Sequence, residues 1–494
     1  MELRQQSCVP RGRGGRREGA PREARHASRL RSLPLLGALL LLPGVGSAEV
    51  GTGGPVARPA RLLHRDALPP IDLPLRPGRE PGLGGGGASP LAPPRLPDAG
   101  RDLLAEAELA AATGPPLEDR DGRGLREFVT RATELQRGRL ARPLRILYYG
   151  DSHVAADLYT DDLRRLLQRK LGDGGLGYLL AGCPASGTRH GGVEAGADEA
   201  WRCERARLGV SPAGSQQVGL GGFLARASLP GARAWLQLLP GEEGRAPLGS
   251  LELLALVQPE GGTLHLEIDG HPGRRLATAG SPGPSSRVAS LRAELPPGHP
   301  QLALIAQGDG EVGLLGVVAE SGEPGVVLDT LGINGAQAAT LLLWDPALWA
   351  ELLRRRDPDL VVLAYGTNEA GDWTASLAQY RLTLAQLLRQ LRAIVPRASC
   401  LLVAPGDRAA PDRRGGYRTL PRILELVQAQ RRVAAEQGCA FYSTFEAMGG
   451  SGAIDRWSRL QPPLAQPDRV HLSREGYRRL ATMLGGALLR QLPP

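Results

Sequence analysis

Cysteine, methionine and aromatic residues are all sparse in this 494-residue chain: five Cys, three Met, and 4% Phe, Trp and Tyr combined. The cysteines, at positions 8, 183, 203, 400 and 439, have a spacing that suits no common zinc site. With so few rings and no Lys/Arg stripe interleaved with aromatics, no nucleic-acid surface is indicated. The net charge of +9 does not restore that reading, because residues 1–48 hold nine arginines against three glutamates. That segment accounts for +6 of the total and leaves +3 for the rest. Arginine far outnumbers lysine, a pattern that fits GC-rich coding rather than a binding surface. Long apolar runs are also missing: the best, 35–43, is too short to span a bilayer comfortably. No long apolar lid segment supports a lipase, and no internal repeat is present.

The N-terminus has the layout of an export signal, with an Arg-rich stretch, the apolar run 35–43 and the small residues Gly46-Ser47-Ala48 as a cleavage site. An uncleaved anchor is the alternative; Arg16-Arg17 lacks the rest of a twin-arginine signal, and no cysteine follows the cleavage region to accept lipid. Residues 1–48 are therefore read as a signal peptide and the protein as secreted or periplasmic, in a bacterial cell envelope. Export places Cys183, Cys203, Cys400 and Cys439 in an oxidising compartment. Cys183 with Cys203 is a plausible loop staple; Cys400 and Cys439 each precede an apolar run, as buried neighbours that are bonded or free. Between 49 and 100, 21 of 52 residues are Gly or Pro without periodic hydrophobicity, so 49–120 is read as a disordered linker.

Beyond the linker, strand and helix signals alternate: a helix at 124–137, a strand at 146–149, a helix at 158–171, a strand at 326–329, a helix from about 336 and a strand at 360–364. A helix with Leu377, Tyr380, Leu384, Leu387, Leu388 and Leu391 on one side follows, then a strand at 401–404, a helix within 417–436, a strand at 440–442 and a last helix at about 474–489. The stretch 175–324 is far too long for a connection. Its short apolar runs at 234–239, 251–257, 264–268, 302–306 and 312–318, separated by Gly/Pro turns, predict an antiparallel β-sandwich. The expected fold class is α/β: a three-layer α/β/α domain with a parallel sheet, in two parts (121–174 and 325–494), interrupted by that inserted sandwich. Trp201, Phe223 and Trp235 in the insert either stack on sugar rings or pack its core.

Ser152 follows the first strand, and a serine hydroxyl becomes a nucleophile when an imidazole takes its proton. Asp468 precedes His471 by three residues, a spacing that lets the carboxylate fold back and hold one tautomer. A tetrahedral intermediate also needs donors for its oxyanion. The Asn368 side chain and the backbone N–H groups of Ser152 and Gly335 can supply them.

These blocks, Gly150-Asp151-Ser152-His153, Gly332-Ile333-Asn334-Gly335, Gly366-Thr367-Asn368-Glu369 and Asp468-Arg469-Val470-His471, resemble those of the SGNH hydrolase superfamily, or GDSL-type esterases. The resemblance spans about 142–174 and 325–492. It implies Ser152 as nucleophile, His471 as general base and acid, Asp468 as its orienting partner, and Ser152, Gly335 and Asn368 as the oxyanion hole. His153 and Glu369 stand where the superfamily usually has Leu and Asp. In this the chain resembles a bacterial subgroup that includes peptidoglycan O-acetylesterases with an inserted β-sandwich, as it does at Met448-Gly449-Gly450 and Trp457, and the resemblance implies that the insert 175–324 is carbohydrate-binding-like. The implied activity is a serine acetylesterase acting on a polysaccharide, with peptidoglycan the leading candidate and no metal or organic cofactor required. The alternatives are a polysaccharide O-acyltransferase of the same fold and a non-catalytic wall-binding protein. Among the neighbours, Asp151 is expected to brace the serine turn and His153 to point into the fold rather than contact substrate; Asn334 serves either its turn or the substrate.

Overall fold

The computed structural model describes residues 103–493 except 185, 210–211, 241–245 and 284–286. The expected signal peptide and the linker up to residue 102 lie outside the described residues. Strands Leu144–Gly150 (β1), Val326–Gly332 (β2), Leu360–Ala364 (β3), Ser399–Ala404 (β4) and Ala440–Ser443 (β5) form one parallel sheet in the order β2-β1-β3-β4-β5. Helices are Leu103–Thr113 (α1), Arg126–Gln136 (α2), Leu158–Leu171 (α3), Pro346–Arg356 (α4), Leu377–Ile394 (α5), Pro421–Gln437 (α6) and Arg474–Leu489 (α7).

Because side chains alternate across a strand, β1 feeds two cores at once. Ile146 and Tyr148 pack with Phe128 of α2, Leu163 of α3 and Leu480 of α7. Leu147 and Tyr149 join Trp349 of α4, Leu384 of α5 and Leu426 of α6 on the other face. The result is the three-layer α/β/α arrangement. The helix expected from about 336 opens instead as a 3-10 turn, Ala338–Leu343. The α-helix starts only at Pro346, where the Asp345 side chain accepts from Ala347 and Leu348 N–H and proline already has a helical φ.

The long interruption carries two antiparallel sheets. One orders Val288–Glu294, Ser250–Leu256, Val312–Glu320, Phe223–Ala227 and Arg202–Arg205, with Gly175–Leu179 added against Val312–Glu320. The other orders Val193–Ala197, Arg233–Leu238, Gln301–Ala306, Thr263–Ile268 and His271–Ala277. Leu224, Leu253 and Leu314 of the first share a core with Leu236, Leu264 and Leu302 of the second. Trp201 and Phe223 are buried there, which makes them core residues; Trp235 is half-buried against Gly196. Both cysteine pairs, Cys183–Cys203 and Cys400–Cys439, are disulfides.

The expected linker reaches too far. Residues 103–113 are helical, Ala107 of α1 packs against Leu166, and Glu106 pairs with Arg478 of α7 at 3.3 Å. The segment is rich in Leu, Ala and Glu, strong helix formers whose signal is masked by the Gly/Pro-rich stretch before it.

A buried ion network joins the insert to the sheet. Arg356, at the end of α4, grips Asp329 of β2 bidentately at 2.6 and 2.9 Å and also bonds Glu320, the last residue of the insert's strand. Glu320 is held from its other side by Arg145 of β1 at 3.0 Å, and Asp329 accepts the Tyr178 N–H from the insert at 2.9 Å. Burial alone would raise the Glu320 carboxyl, but Arg356 and Arg145 outweigh it and hold the group at about 2. Arg356→Met leaves the buried Asp329 carboxylate without its bidentate partner and Glu320 with Arg145 alone, an expected loss of about 3–5 kcal/mol at pH 7 in denaturant unfolding. Glu320 is depressed in the fold, so its contribution fades as pH falls from about 4.5 toward 2, and the deficit should narrow over that range. A deficit that is constant with pH would contradict this role for Glu320.

Candidate active site

Open α/β sheets bind ligands beyond the carboxyl ends of their strands where the strand order reverses, and here that point is β1 with its neighbours β2 and β3. Gly150 and Gly332 end β1 and β2 side by side in register. A Cβ on Gly332 would lie 2.2 Å from Ala155 N, and one on Gly150 would lie 2.4 Å from Val154 Cγ2. Only glycine at these two places lets the turn Ser152–Ala155 settle onto the strand ends. Asp151 accepts the His153 N–H at 3.0 Å and braces the turn as expected.

Ser152 Oγ lies 2.9 Å from His471 Nε2, and His471 Nδ1 lies 2.7 Å from Asp468 Oδ2. The other Asp468 oxygen accepts the N–H groups of Val470 and His471 at 2.9 and 3.0 Å. Partial burial would raise the Asp468 carboxyl; the bonds from the His471 ring and the two N–H groups outweigh it and hold the carboxyl at about 2. The carboxylate thus fixes a proton on Nδ1 and leaves Nε2 free to accept one from Ser152. Between Asp468 and His471, Arg469 adopts φ +57°, a conformation costly for a side-chain-bearing residue. It is retained by Asp455 at 3.0 Å and by stacking on Tyr417 at 4.5 Å.

Gly335 (φ +77°) follows β2 and Asn368 follows β3, so the two flank the β1 turn. Asn368 Nδ2 donates to Ala336 O at 2.8 Å, which ties its amide to the Gly335 loop and leaves a second N–H on the same nitrogen. His153, half-buried, turns to Tyr477: its Nδ1 lies 3.0 Å from the phenol oxygen. Burial lowers the His153 pKa, with Asp151 pulling the other way, so the ring stays neutral beside His471. Asn334 donates to Gly187 O at 3.4 Å and Arg189 N–H donates to Ala155 O at 2.9 Å. The insert therefore borders both the Ser152 turn and the Gly335 loop. Beneath the turn, buried Asp157 gathers Thr160, Arg164 and Thr330 at 2.6–2.7 Å and the Gly191 N–H at 2.8 Å. None of these long-range ties is visible as a local pattern.

Glu369 is the least anticipated of these residues. It is buried, its Oε1 accepts the Ala338 N–H at 2.8 Å, and its Oε2 has no partner. The carboxyl clamps the segment after Gly335 to the residue after Asn368, joining the two candidate oxyanion donors. Burial pushes its pKa up to about 7 despite the bond from Ala338. A carboxyl raised in the folded state favours folding below its unfolded value of 4.5 and loses that contribution as pH climbs toward 7. Glu369→Gln keeps the acceptor and removes the charge, so its melting temperature should gain on the parent between pH 5 and pH 8. A gap that stays flat over that range would contradict the assignment.

Among the described residues, no group of three or more His, Cys, Asp or Glu side chains is arranged to hold a metal, and no helix is long and apolar enough to cross a membrane. The GDSL-like lipase/acylhydrolase family matches residues 297–479, which include Gly335, Asn368, Asp468 and His471 but begin after Ser152. A solved peptidoglycan O-acetylesterase is similar at 28% identity and TM-score 0.62, over 74% of this chain and 95% of that one. A family two carbohydrate esterase from Cellvibrio japonicus matches at 12% identity and TM-score 0.26, over 60% of this chain and 98% of that one. No curated protein matches the sequence at a significant level. Strand order, the inserted sheets, the family match over 297–479 and the 28%-identical structure converge: the fold is of the SGNH hydrolase type, the chain resembles the peptidoglycan O-acetylesterases, and its activity is that of an esterase.

Proposed function

We propose that this esterase is exported by its residues 1–48 and removes O-acetyl groups from a polysaccharide of the cell envelope, peptidoglycan foremost. The observation that carries the reading is the continuous Ser152–His471–Asp468 chain of hydrogen bonds at the end of β1. The substrate class is supported by the 28%-identical peptidoglycan O-acetylesterase and by the sandwich bordering the site.

In the proposed reaction His471 Nε2 takes the Ser152 proton as Oγ bonds to the ester carbonyl carbon. The carbonyl oxygen becomes an anion, held by the Asn368 amide and the N–H groups of Gly335 and Ser152. Collapse breaks the bond to the sugar oxygen, which leaves with the proton from His471. Water then attacks the acyl-serine with His471 again as base; acetate departs and Ser152 regains its proton. Asp468 stays ionised throughout and stabilises the imidazolium.

Acetate release from O-acetylated peptidoglycan, acetylated xylan and nitrophenyl acetate, compared with transfer to an added sugar acceptor, separates hydrolase from transferase. Ser152→Ala should lower turnover at least about 10⁴-fold with an unchanged circular dichroism spectrum. Asp468→Asn should cost about 10³- to 10⁴-fold by releasing the wrong tautomer. Full activity in Ser152→Ala would sink the mechanism, and failure of the parent to release acetate from any acetylated glycan would sink the substrate.

A further inference from the structure

Most half-buried arginines near the sheet meet a carboxylate: Arg142 with Asp359, Arg145 with Glu320 and Arg469 with Asp455. Arg408 differs. It lies in the loop after β4; among the described residues no carboxylate is within ion-pair distance of it, and its side-chain hydrogen bond runs from Nη1 to Thr367 O at 2.7 Å. Thr367 is the neighbour of Asn368. On the other side the following residue, Ala409, donates its N–H to Arg469 O at 3.1 Å, inside the turn that carries His471. The main chain beside Arg408 is thereby tied to the Asp468–His471 turn while its guanidinium is tied to the Asn368 block, within the field of Asp468 and Asp151. Room for it is made by Gly371, where a Cβ would lie 3.0 Å from Nη1 and 3.2 Å from Nη2.

A guanidinium carries five N–H donors in a fork that matches a carboxylate, and here one is used within the protein. The nearby acids do not neutralise it at contact, since Asp151 holds the His153 N–H and Asp468 holds His471. A half-buried cation without a counterion is costly to fold and is poised for an incoming anion. Burial lowers the Arg408 pKa, with Asp151 and Asp468 pulling it back only through their field. The developing oxyanion already has its donors, and Arg408 lies beside the loop that protonates the leaving alcohol. We propose that Arg408 binds a carboxylate on the alcohol portion of the substrate, so that the site selects acyl esters of acidic sugars over neutral ones. This rests on the esterase reading above and names its substrate class.

The matched probes are the 6-O-acetyl esters of N-acetylmuramic acid and N-acetylglucosamine, which differ by one lactyl carboxylate. The parent should prefer the acidic ester, mainly through KM. Arg408→Gln should lower kcat/KM on it about 10- to 100-fold more than on the neutral ester, the loss expected of one charge-assisted pair, and Arg408→Lys should recover part of the difference. Equal losses on both esters would make Arg408 structural and overturn the proposal, as would a parent indifferent to the carboxylate. A second arm titrates the Ser152→Ala protein with the two unacetylated sugars by calorimetry, with and without Arg408→Gln. Preferential binding of the acidic sugar that disappears with Arg408→Gln supports anion capture even if no ester is cleaved, in which case only the esterase mechanism fails. Identical binding of both sugars overturns the proposal.

Discussion

The grip of Arg356 on Asp329 and Glu320 is the contact on which the rest of this architecture leans. Asp329 lies in the middle of β2 with no exposed surface, and Glu320 closes the insert, so one guanidinium holds two carboxylates from two folding units. Such a triad is a poor source of stability compared with apolar packing, because each charge must leave water. What it supplies is register. With Arg145 drawn in from β1, the sandwich cannot slide along the sheet edge without leaving charges unpaired. The insert thus keeps residues 187–191 against the Ser152 turn, and a wall of the candidate site comes from outside the parallel sheet.

The site itself is built at strand ends because only there can a β-sheet place unrelated segments side by side. Paired glycines bring β1 and β2 close enough for the serine turn to rest on both. The Glu369–Ala338 bond joins the two loops that carry Gly335 and Asn368. The histidine arrives on a turn whose left-handed arginine is restrained by an ion pair and a stacked ring. These devices hold groups that reaction requires within hydrogen-bond reach, at a cost borne by buried partners nearby.

Much of this was legible in the sequence where the signal is local. The runs feeding β1, β3 and β4 are continuously apolar because both sheet faces are covered, and residues 158–171 were readable as a helix from one periodic stripe. The sandwich strand Arg233–Leu238 alternates buried and half-buried positions and was equally plain. Its edge strands Arg202–Arg205 and His271–Ala277 were not, since they expose almost every side chain and offer no hydrophobic rhythm. Ser152, Asp468 and His471 stood out because each sits in a short block. Tyr477 looked like any core residue of α7, and its bond to His153 crosses 324 positions of sequence. Arg408 carried no local mark at all, because an arginine without a contacting carboxylate can be recognised only when its surroundings are known.

The serine and its base are 319 residues apart, and the entire sandwich lies between them. A chain emerging in order makes its serine early and its histidine late. On the proposed mechanism, therefore, the Ser152 hydroxyl sits through nearly all of synthesis in a polypeptide without the base needed to ionise it. On that reading esterase chemistry waits until the last parallel strand is in place and the turn at 468–471 has docked, so timing of activation is written into the chain order itself.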